Sequence, residues 1–594
     1  MPPLAEQADG VQAQGQGTEN KKRELAVVRG ARAVFRHVKH HVGVGIVCSV
    51  AYFDPGNWSV DLQAGSEFGY RPLLFVVLLA GLGAIVLQSL ACKLGCVTGV
   101  DLATHCRLLL HDRPKNRRLV RYAVLYPLYI LCEIAIVCTD LAELLGSAIA
   151  LCMLIPKLPL WAGVALTAAD VLVFLVVGGP SRYGKPARMF EITIMLLVLA
   201  VFACFILLIV KVHPDWPQAF LGFVPSAKLF DTRSDTLYTA VGILGATVMP
   251  HALFLGSFMA TQDRVGTTNP TLPPPVQSSD TPDQGFRARL KEWFASLFEV
   301  SRAERKALAL DYRMKYEREN NDVDFIRAHL KHGIVDIVAS LMGVAVPINA
   351  AILIVAAAVF FVDGTGSMVP AGLFDAYDLI VQHVGHAAGI IFALALLSSG
   401  QSSSITATLA GQVVSEGFIE WRVSPFLRRL ITRLIGLVPS MVVAIAVGRP
   451  GINMLLVASQ VALSIVLPFV AFPLIWLTSS RRVMRVKTPR AGRDGARTGS
   501  EDAPTLAPTE TSSRDGECAA DERSAVREIR RVDSIVPEEK TEEVLVETVS
   551  ASPEEDDYID FSNGWLLTTV ASLIFVIVLA ANLYVIVMLA LGRE

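Results

Sequence analysis

Apolar stretches long enough to cross a bilayer recur along the chain between short polar connections, and they predict an all-α polytopic membrane protein. Eleven spans are expected, at about 43–65, 71–97, 122–152, 158–178, 188–211, 236–261, 332–362, 384–415, 430–448, 453–479 and 564–591. Two of them are interrupted. The first breaks at Asp54-Pro55-Gly56-Asn57 and the sixth at Met249-Pro250-His251, with the prolines 195 positions apart. Proline removes a backbone donor and clashes with the preceding turn, so each span unwinds and leaves carbonyl oxygens without intrahelical partners. At membrane depth such backbone is tolerated only where it lines a buried site. The first ten spans divide five and five, with a broken span opening each half. An odd number of spans per half inverts the second half, which is the logic of the inverted-repeat secondary transporters.

The organisation expected on this pattern is a polar, disordered cytosolic arm at 1–42, a first repeat at 43–211, and a second repeat at 236–261 and 332–479. Between the parts of the second repeat lies a charged cytosolic insert, 262–331. A Pro-, Ser-, Thr-, Glu- and Arg-rich linker at 480–563 has a composition that buries no core and is expected to be disordered and cytosolic. The eleventh span, 564–594, stands outside the repeat as a peripheral helix.

Composition agrees: 53% of the 594 residues are hydrophobic and 18% charged, too apolar for an ordinary soluble protein. The net charge of −2 gives no reason to expect a nucleic-acid partner, but it hides a lopsided distribution. Lys and Arg crowd the N-terminal arm (Lys21 to Lys39) and the connections after the second span (Arg107 to Arg121), the fourth (Arg182, Lys185, Arg188) and the eighth (Arg422 to Arg433). The connection after the seventh, 363–383, has none. The N terminus is therefore expected in the cytosol and, by parity, the C terminus across the membrane. No cleaved signal peptide is expected in 1–42. Nine cysteines are scattered without the spacing of a zinc site or a disulfide framework and are taken as small core residues. Asn57-Trp58-Ser59 matches a glycosylation pattern but lies inside a span, and Gly81-Leu82-Gly83 lacks the strand and third glycine of a dinucleotide loop.

Asp54 and Asn57 flank the first break, so a carboxylate, an amide oxygen and the freed carbonyl of Ala51 can converge on a cation. From the other break Met249 offers a thioether and Ala246 a carbonyl. Hard Mg²⁺ and Ca²⁺ gain little from sulfur, whereas Mn²⁺, Fe²⁺, Co²⁺ and Cd²⁺ accept it. The competing readings are packing for Met249 and a helix–helix hydrogen bond for Asn57; Asp54 is harder to explain that way, because a midplane carboxylate costs about 2.5 kcal/mol or more. Gln460, in the tenth span, either brings an amide oxygen to the ion or bonds a neighbouring helix. The third span carries Glu133, Asp140 and Glu143 within roughly an 80° arc. Such a stripe either pairs with buried cations such as Arg428, Arg429 or Arg433, or forms a proton path with His251, whose ordinary pKa is nearest physiological pH. The small and hydroxylated residues of Gly400 to Gln412 are read as close-packing positions.

At these residues the sequence resembles the NRAMP family of proton-coupled divalent metal transporters. Ala51-Tyr52-Phe53-Asp54-Pro55-Gly56-Asn57-Trp58 is similar to the family's first-helix motif, Met249-Pro250-His251 to its sixth-helix motif, Glu133 to Gly146 to its acidic third helix, and Gln401 to Phe418 to its transport signature. The resemblance runs over about 40–262 and 332–479. It implies a LeuT-like 5+5 inverted repeat with helices 1 and 6 broken. It gives metal-binding roles to Asp54, Asn57, Ala246 and Met249, with Ala51 and Gln460 as conformation-dependent ligands, and proton-path roles to Asp140, Glu143, Glu133 and His251. Two departures stand out: many members carry a second histidine at the position of Gly256 and an Asn at that of Ala252.

The expected activity is proton-coupled import of divalent transition metal ions, Mn²⁺ and Fe²⁺ with Co²⁺ and Cd²⁺, by alternating access. Metal is the substrate and protons the coupling ion, with no cofactor. The setting is a plasma, endosomal or vacuolar membrane, and the cytosolic segments are candidate docking points for trafficking or ubiquitin-ligase partners. The alternatives are a sensor built on the same fold and a different LeuT-fold carrier, such as one for amino acids. An enzyme is not expected, since no nucleophile stands with its base and no His cluster is seen.

Overall fold

Pro55 and Pro250 each divide a span into two half-helices, as their missing N–H groups require. The computed structural model of the protein describes residues 43–111, 115–167, 188–230, 236–264, 319–361, 372–420, 425–488 and 558–591. The first broken span is α1 (Val44–Ser49), a 3₁₀ turn at Val50–Tyr52, and α2 (Pro55–Phe68). Asp54 is extended at φ −67°, ψ 168°, and its carboxylate accepts the Asn57 N–H at 2.9 Å, capping α2 with proline in the first turn.

The chain continues through α3 (Leu73–Thr98), the short α4 (Leu102–Leu110), α5 (Arg117–Leu154), α6 (Arg188–Val212) and α7 (Trp216–Gly222). The second broken span follows as α8 (Thr236–Thr247) and α9 (Pro250–Met259), with Met249 extended between them. Then come α10 (Val323–Phe360), α11 (Leu373–His383), α12 (His386–Ile419), α13 (Pro425–Ala446) and α14 (Arg449–Ser479). Past α14, α15 (Arg481–Met484) leads into β1 (Arg485–Lys487), which pairs antiparallel with β2 (Tyr558–Asp560) ahead of α16 (Trp565–Ala590).

Among the described residues eight helices are long and apolar enough to cross a membrane, against eleven spans read from the sequence. The difference has local causes. The first span is split into halves too short to qualify, the fourth is described only to residue 167, and in the ninth the apolar part is Leu430–Ala446. Expected boundaries shift in two places. Residues 323–331, read as the end of the insert, are the first turns of α10, and residues 481–487 and 558–560, read as linker, form α15 and the two strands. The arm at 1–42 and residues 489–557 lie outside the described residues. By contacts the chain divides into Met1–Lys487 with Tyr558–Glu594, and Thr488–Asp557; Thr488 alone of the latter is described.

The broken helices sit at the centre of the first unit. α2 packs against α8, α10 and α14, α1 against α10, and α9 against α3 and α12, while α5 faces α12, α13 and α14.

Candidate metal site and its acidic flank

Each proline costs the carbonyl four residues before it a partner, and those carbonyls belong to Ala51 and Ala246. The next two carbonyls at the first break are held by side chains. Tyr52 O accepts Asn57 Nδ2 at 2.8 Å and Asn349 Nδ2 at 2.7 Å, and Phe53 O accepts Trp58 Nε1 at 3.0 Å and Ser399 Oγ at 2.6 Å. An amide that donates to a carbonyl must do so through its nitrogen, so its oxygen is left for another purpose.

Three oxygens at the breaks are left as orphans. Asp54 Oδ2, Asn57 Oδ1 and Gln460 Oε1 are buried with no hydrogen-bond partner, and the three residues are at most 1% exposed. Buried polar atoms are rarely left so, and each unsatisfied one costs about 1–3 kcal/mol. The Gln460 amide lies directly against Gly56, where any Cβ would strike it, so the tenth span reaches the first break. The Gln460 backbone carbonyl and Ser464 likewise lie against Gly245, one residue before Ala246. Met249 and Ala51 are fully buried and Ala246 nearly so. The arrangement offers one carboxylate, two amide oxygens, a thioether and backbone carbonyls at the meeting of α2, α8 and α14. Among the described residues no three His, Cys, Asp or Glu side chains stand together as a metal cluster.

The acidic stripe of α5 faces α12 and α13. Glu133 bonds Arg428 Nη2 at 2.9 Å, and Asp140 Oδ1 lies 3.6 Å from Arg433 Nη1. Arg433 also donates to Asp140 O at 3.3 Å and to Ser404 Oγ. Glu143 Oε1 accepts Ser403 Oγ at 2.7 Å. Both of the expected cations whose side chains are described are therefore in ion pairs; the side chain of Arg429 lies outside the described residues. His251 is buried and reaches the stripe through Thr139, whose Oγ1 stands 3.3 Å from His251 Nδ1, rather than touching an acid.

Several participants were not singled out in the sequence. Asn349 was a lone amide in the apolar stretch Val346–Phe360, a signal of the same kind as Asn57. Ser403 and Ser404 belong to a stretch read as packing, and Ser399 stands just before it, yet their hydroxyls bond Glu143, Arg433 and the break respectively. Gln88 fills the space into which a side chain at position 256 would project, and its Oε1 accepts Tyr52 Oη at 3.0 Å. The missing second histidine is thus matched by an amide from α3.

Comparison with known proteins gives a consistent result. Residues 45–492 match the family described as natural resistance-associated macrophage protein-like. The chain is 42% identical over 448 residues to the manganese transporter pdt1 of Schizosaccharomyces pombe, covering 75% of this chain and 76% of that one. It is 34% identical over 569 residues to the iron transporter SMF3 of Saccharomyces cerevisiae, covering 96% and 99%. A crystal structure of a mutant manganese transporter from Eremococcus coleocola superposes with a TM-score of 0.57 at 30% identity, over 74% of this chain and 79% of that one.

Proposed function

The chain belongs to the NRAMP family of membrane metal transporters, and from that premise we propose that it imports Mn²⁺ and Fe²⁺ into the cytosol with protons as the coupling ion. The observation that carries this reading is the trio of buried, unpartnered oxygens of Asp54, Asn57 and Gln460, with the Met249 side chain fully buried at the other break. The relatives named above are a manganese and an iron transporter, which supports the choice of ions.

Asp54, Asn57, Met249 and the Ala246 carbonyl take the ion, and Ala51 and Gln460 join as the half-helices move. Asp54 supplies the charge that offsets part of the ion's desolvation, and the sulfur weakens competition from Ca²⁺ and Mg²⁺. His251, Thr139 and the acids of α5 carry the protons, in series with the Arg428 and Arg433 pairs. The inside-negative potential contributes about 2.3 kcal/mol per charge per 100 mV.

Mn²⁺ uptake into proteoliposomes tests this. Uptake is expected to rise at acidic outside pH, to be lost in Asp54→Ala, and to become sensitive to excess Ca²⁺ in Met249→Ala. A parent protein that binds Mn²⁺ but moves none would replace the transport reading with a sensor.

A further inference from the structure

The second half of the first broken span holds a carboxylate that the proposed function does not use. Asp61 stands seven residues past Asp54 on α2, about 10 Å along the same side of the helix. It is 3% exposed and its Oδ2 is buried with no hydrogen-bond partner. Among the described residues no Lys, Arg or His pairs with it.

Two contacts fix what Asp61 faces. One turn before it, Asn57 and Asn349 of α10 donate to the same oxygen, Tyr52 O, at 2.8 and 2.7 Å. One turn after it, Gly65 lies so close to Leu353 O and Ala356 of α10 that any Cβ there would strike them. Asn57, Asp61 and Gly65 share one side of α2, so Asp61 is held against α10 between Asn349 and Ala356. That part of α10, Val346–Phe360, has no titratable side chain.

The other elements packed on α2 bring no free cation to this side. α8 has only Tyr238, and the one ionisable group of α14, Arg449, lies 3.3 Å from Asp378 of α11. Asp375 and His383 of α11 bond their own helix end, at the Gly372 N–H and at Leu379 O. The acidic helix α5 meets α2 elsewhere, where Gly146 lies against Pro55, and α6 and α12 meet it at Trp58 through Phe205 and Phe392. Lys93 of α3 donates to Asn563 and to Ser562 O. On α2 itself the neighbouring acids are Asp54 and Glu67, which oppose a further negative charge.

A carboxylate buried this deeply, with no cation beside it and no donor on Oδ2, is not stable as an anion. We propose that Asp61 carries a proton in this conformation, and that α2 closes onto α10 only after Asp61 has taken that proton from the outer solvent. When α2 swings away Asp61 is rehydrated, and the proton returns to the side it came from. It is therefore not carried across the membrane and adds nothing to the number of protons coupled to each metal ion. Because closing binds one proton, its equilibrium shifts toward closure as pH falls, by up to about tenfold per pH unit. Asp61 sets when the outer half closes, whereas the acids of α5 carry the protons that drive transport. This role in closure rests on the transport reading and on α2 leading outward from the break, as the Lys and Arg distribution predicts. The proton on Asp61 rests on neither.

Two measurements separate the parts. The infrared difference spectrum of the purified, metal-free full chain at neutral pH, parent minus Asp61→Asn, is expected to show the carbonyl stretch of a protonated carboxyl. Carboxylate bands in its place overturn the inference. Mn²⁺ uptake into proteoliposomes is then followed with equal pH on both sides, so that no proton gradient drives it. Uptake by the parent is expected to rise as pH falls. Asp61→Asn, which imitates the protonated side chain, is expected to lose that rise and to keep the acidic rate at every pH, while protons still enter the lumen with Mn²⁺. Asp61→Val is expected to behave like Asp61→Asn, which covers a misfolded amide variant, and Asp61→Glu to restore the pH response. An unchanged pH response in both neutral variants, or loss of proton entry with Mn²⁺ uptake intact, overturns the role in closure. The protonated band together with no Mn²⁺ uptake by the parent upholds the proton on Asp61 and sinks the transport reading instead.

Discussion

Two carbonyls at the first break, Tyr52 O and Phe53 O, each take two side-chain donors. This is how an unwound segment survives where no water can satisfy it. The same bonds turn the oxygen of Asn57 away from the backbone, so the stabilising contact and the ligand geometry are one arrangement. Asn349→Ala removes one donor from Tyr52 O without touching the candidate ligands. It is expected to cost about 1 kcal/mol, read as a lower melting temperature, and to raise the KM for Mn²⁺ as Asn57 loses its fixed orientation. An unchanged KM would mean that Asn57 holds its place alone. On the other flank, Arg433 and Asp140 are 2% and 0% exposed. Arg433→Ala strands a buried carboxylate, a change expected to cost about 3–5 kcal/mol, with Asp140→Asn added to it restoring part of the lost melting temperature.

At the scale of the element, one side chain caps the first half-helix, α1. Asp336 of α10 accepts the N–H groups of Gly43 and Gly45 at 3.2 and 2.7 Å, satisfying donors that the six-residue α1 cannot satisfy itself. Its carboxylate also faces the positive end of that helix. Losing a cap of this kind costs about 1–2 kcal/mol, a factor of roughly 5–30 in an equilibrium. Asp336→Ala is therefore expected to speed amide hydrogen exchange across residues 44–52 by about that factor, leaving exchange in α5 and α12 unchanged. Equal exchange in both proteins would mean that packing, not the cap, docks α1.

At the scale of the whole molecule, the last helix is fastened by a polar clasp at one end of α3 and α14. β1 and β2 pair through Lys487 and Tyr558, and Asn563 bonds Thr478, while Lys93 donates to Asn563 and to Ser562 O. Asn320 joins β1 by donating to Val483 O and Arg485 O. Farther along, Asn582 of α16 donates to Ser464 O. Because Lys487 faces Tyr558 directly, replacing residues 488–557 with Asn-Gly should close β1 and β2 as a tight hairpin. The melting temperature and Mn²⁺ uptake are expected to survive that replacement. Removing 558–594 instead, which takes β2 and α16 together, is expected to lower the melting temperature by several degrees.

How much of this could be read from residues alone follows from the range of the forces involved. The helical class, the two breaks and the candidate ligands Asp54, Asn57 and Met249 are local consequences: apolar run length sets a span, a proline ends hydrogen bonding within one turn, and a carboxylate in an apolar span needs a reason. The choice between readings was not local. Whether Glu133 and Asp140 meet Arg428 and Arg433 depends on the packing of α5 against α13, nearly 300 residues later in the chain. The engagement of Asn349, Ser399 and Gln88 likewise needs three helices brought against one break. Sequence alone determined where the backbone had to open; tertiary packing decided which polar groups answer the opened backbone, since a hydrogen bond or ion pair is made over about 3 Å and chain distance says nothing of that.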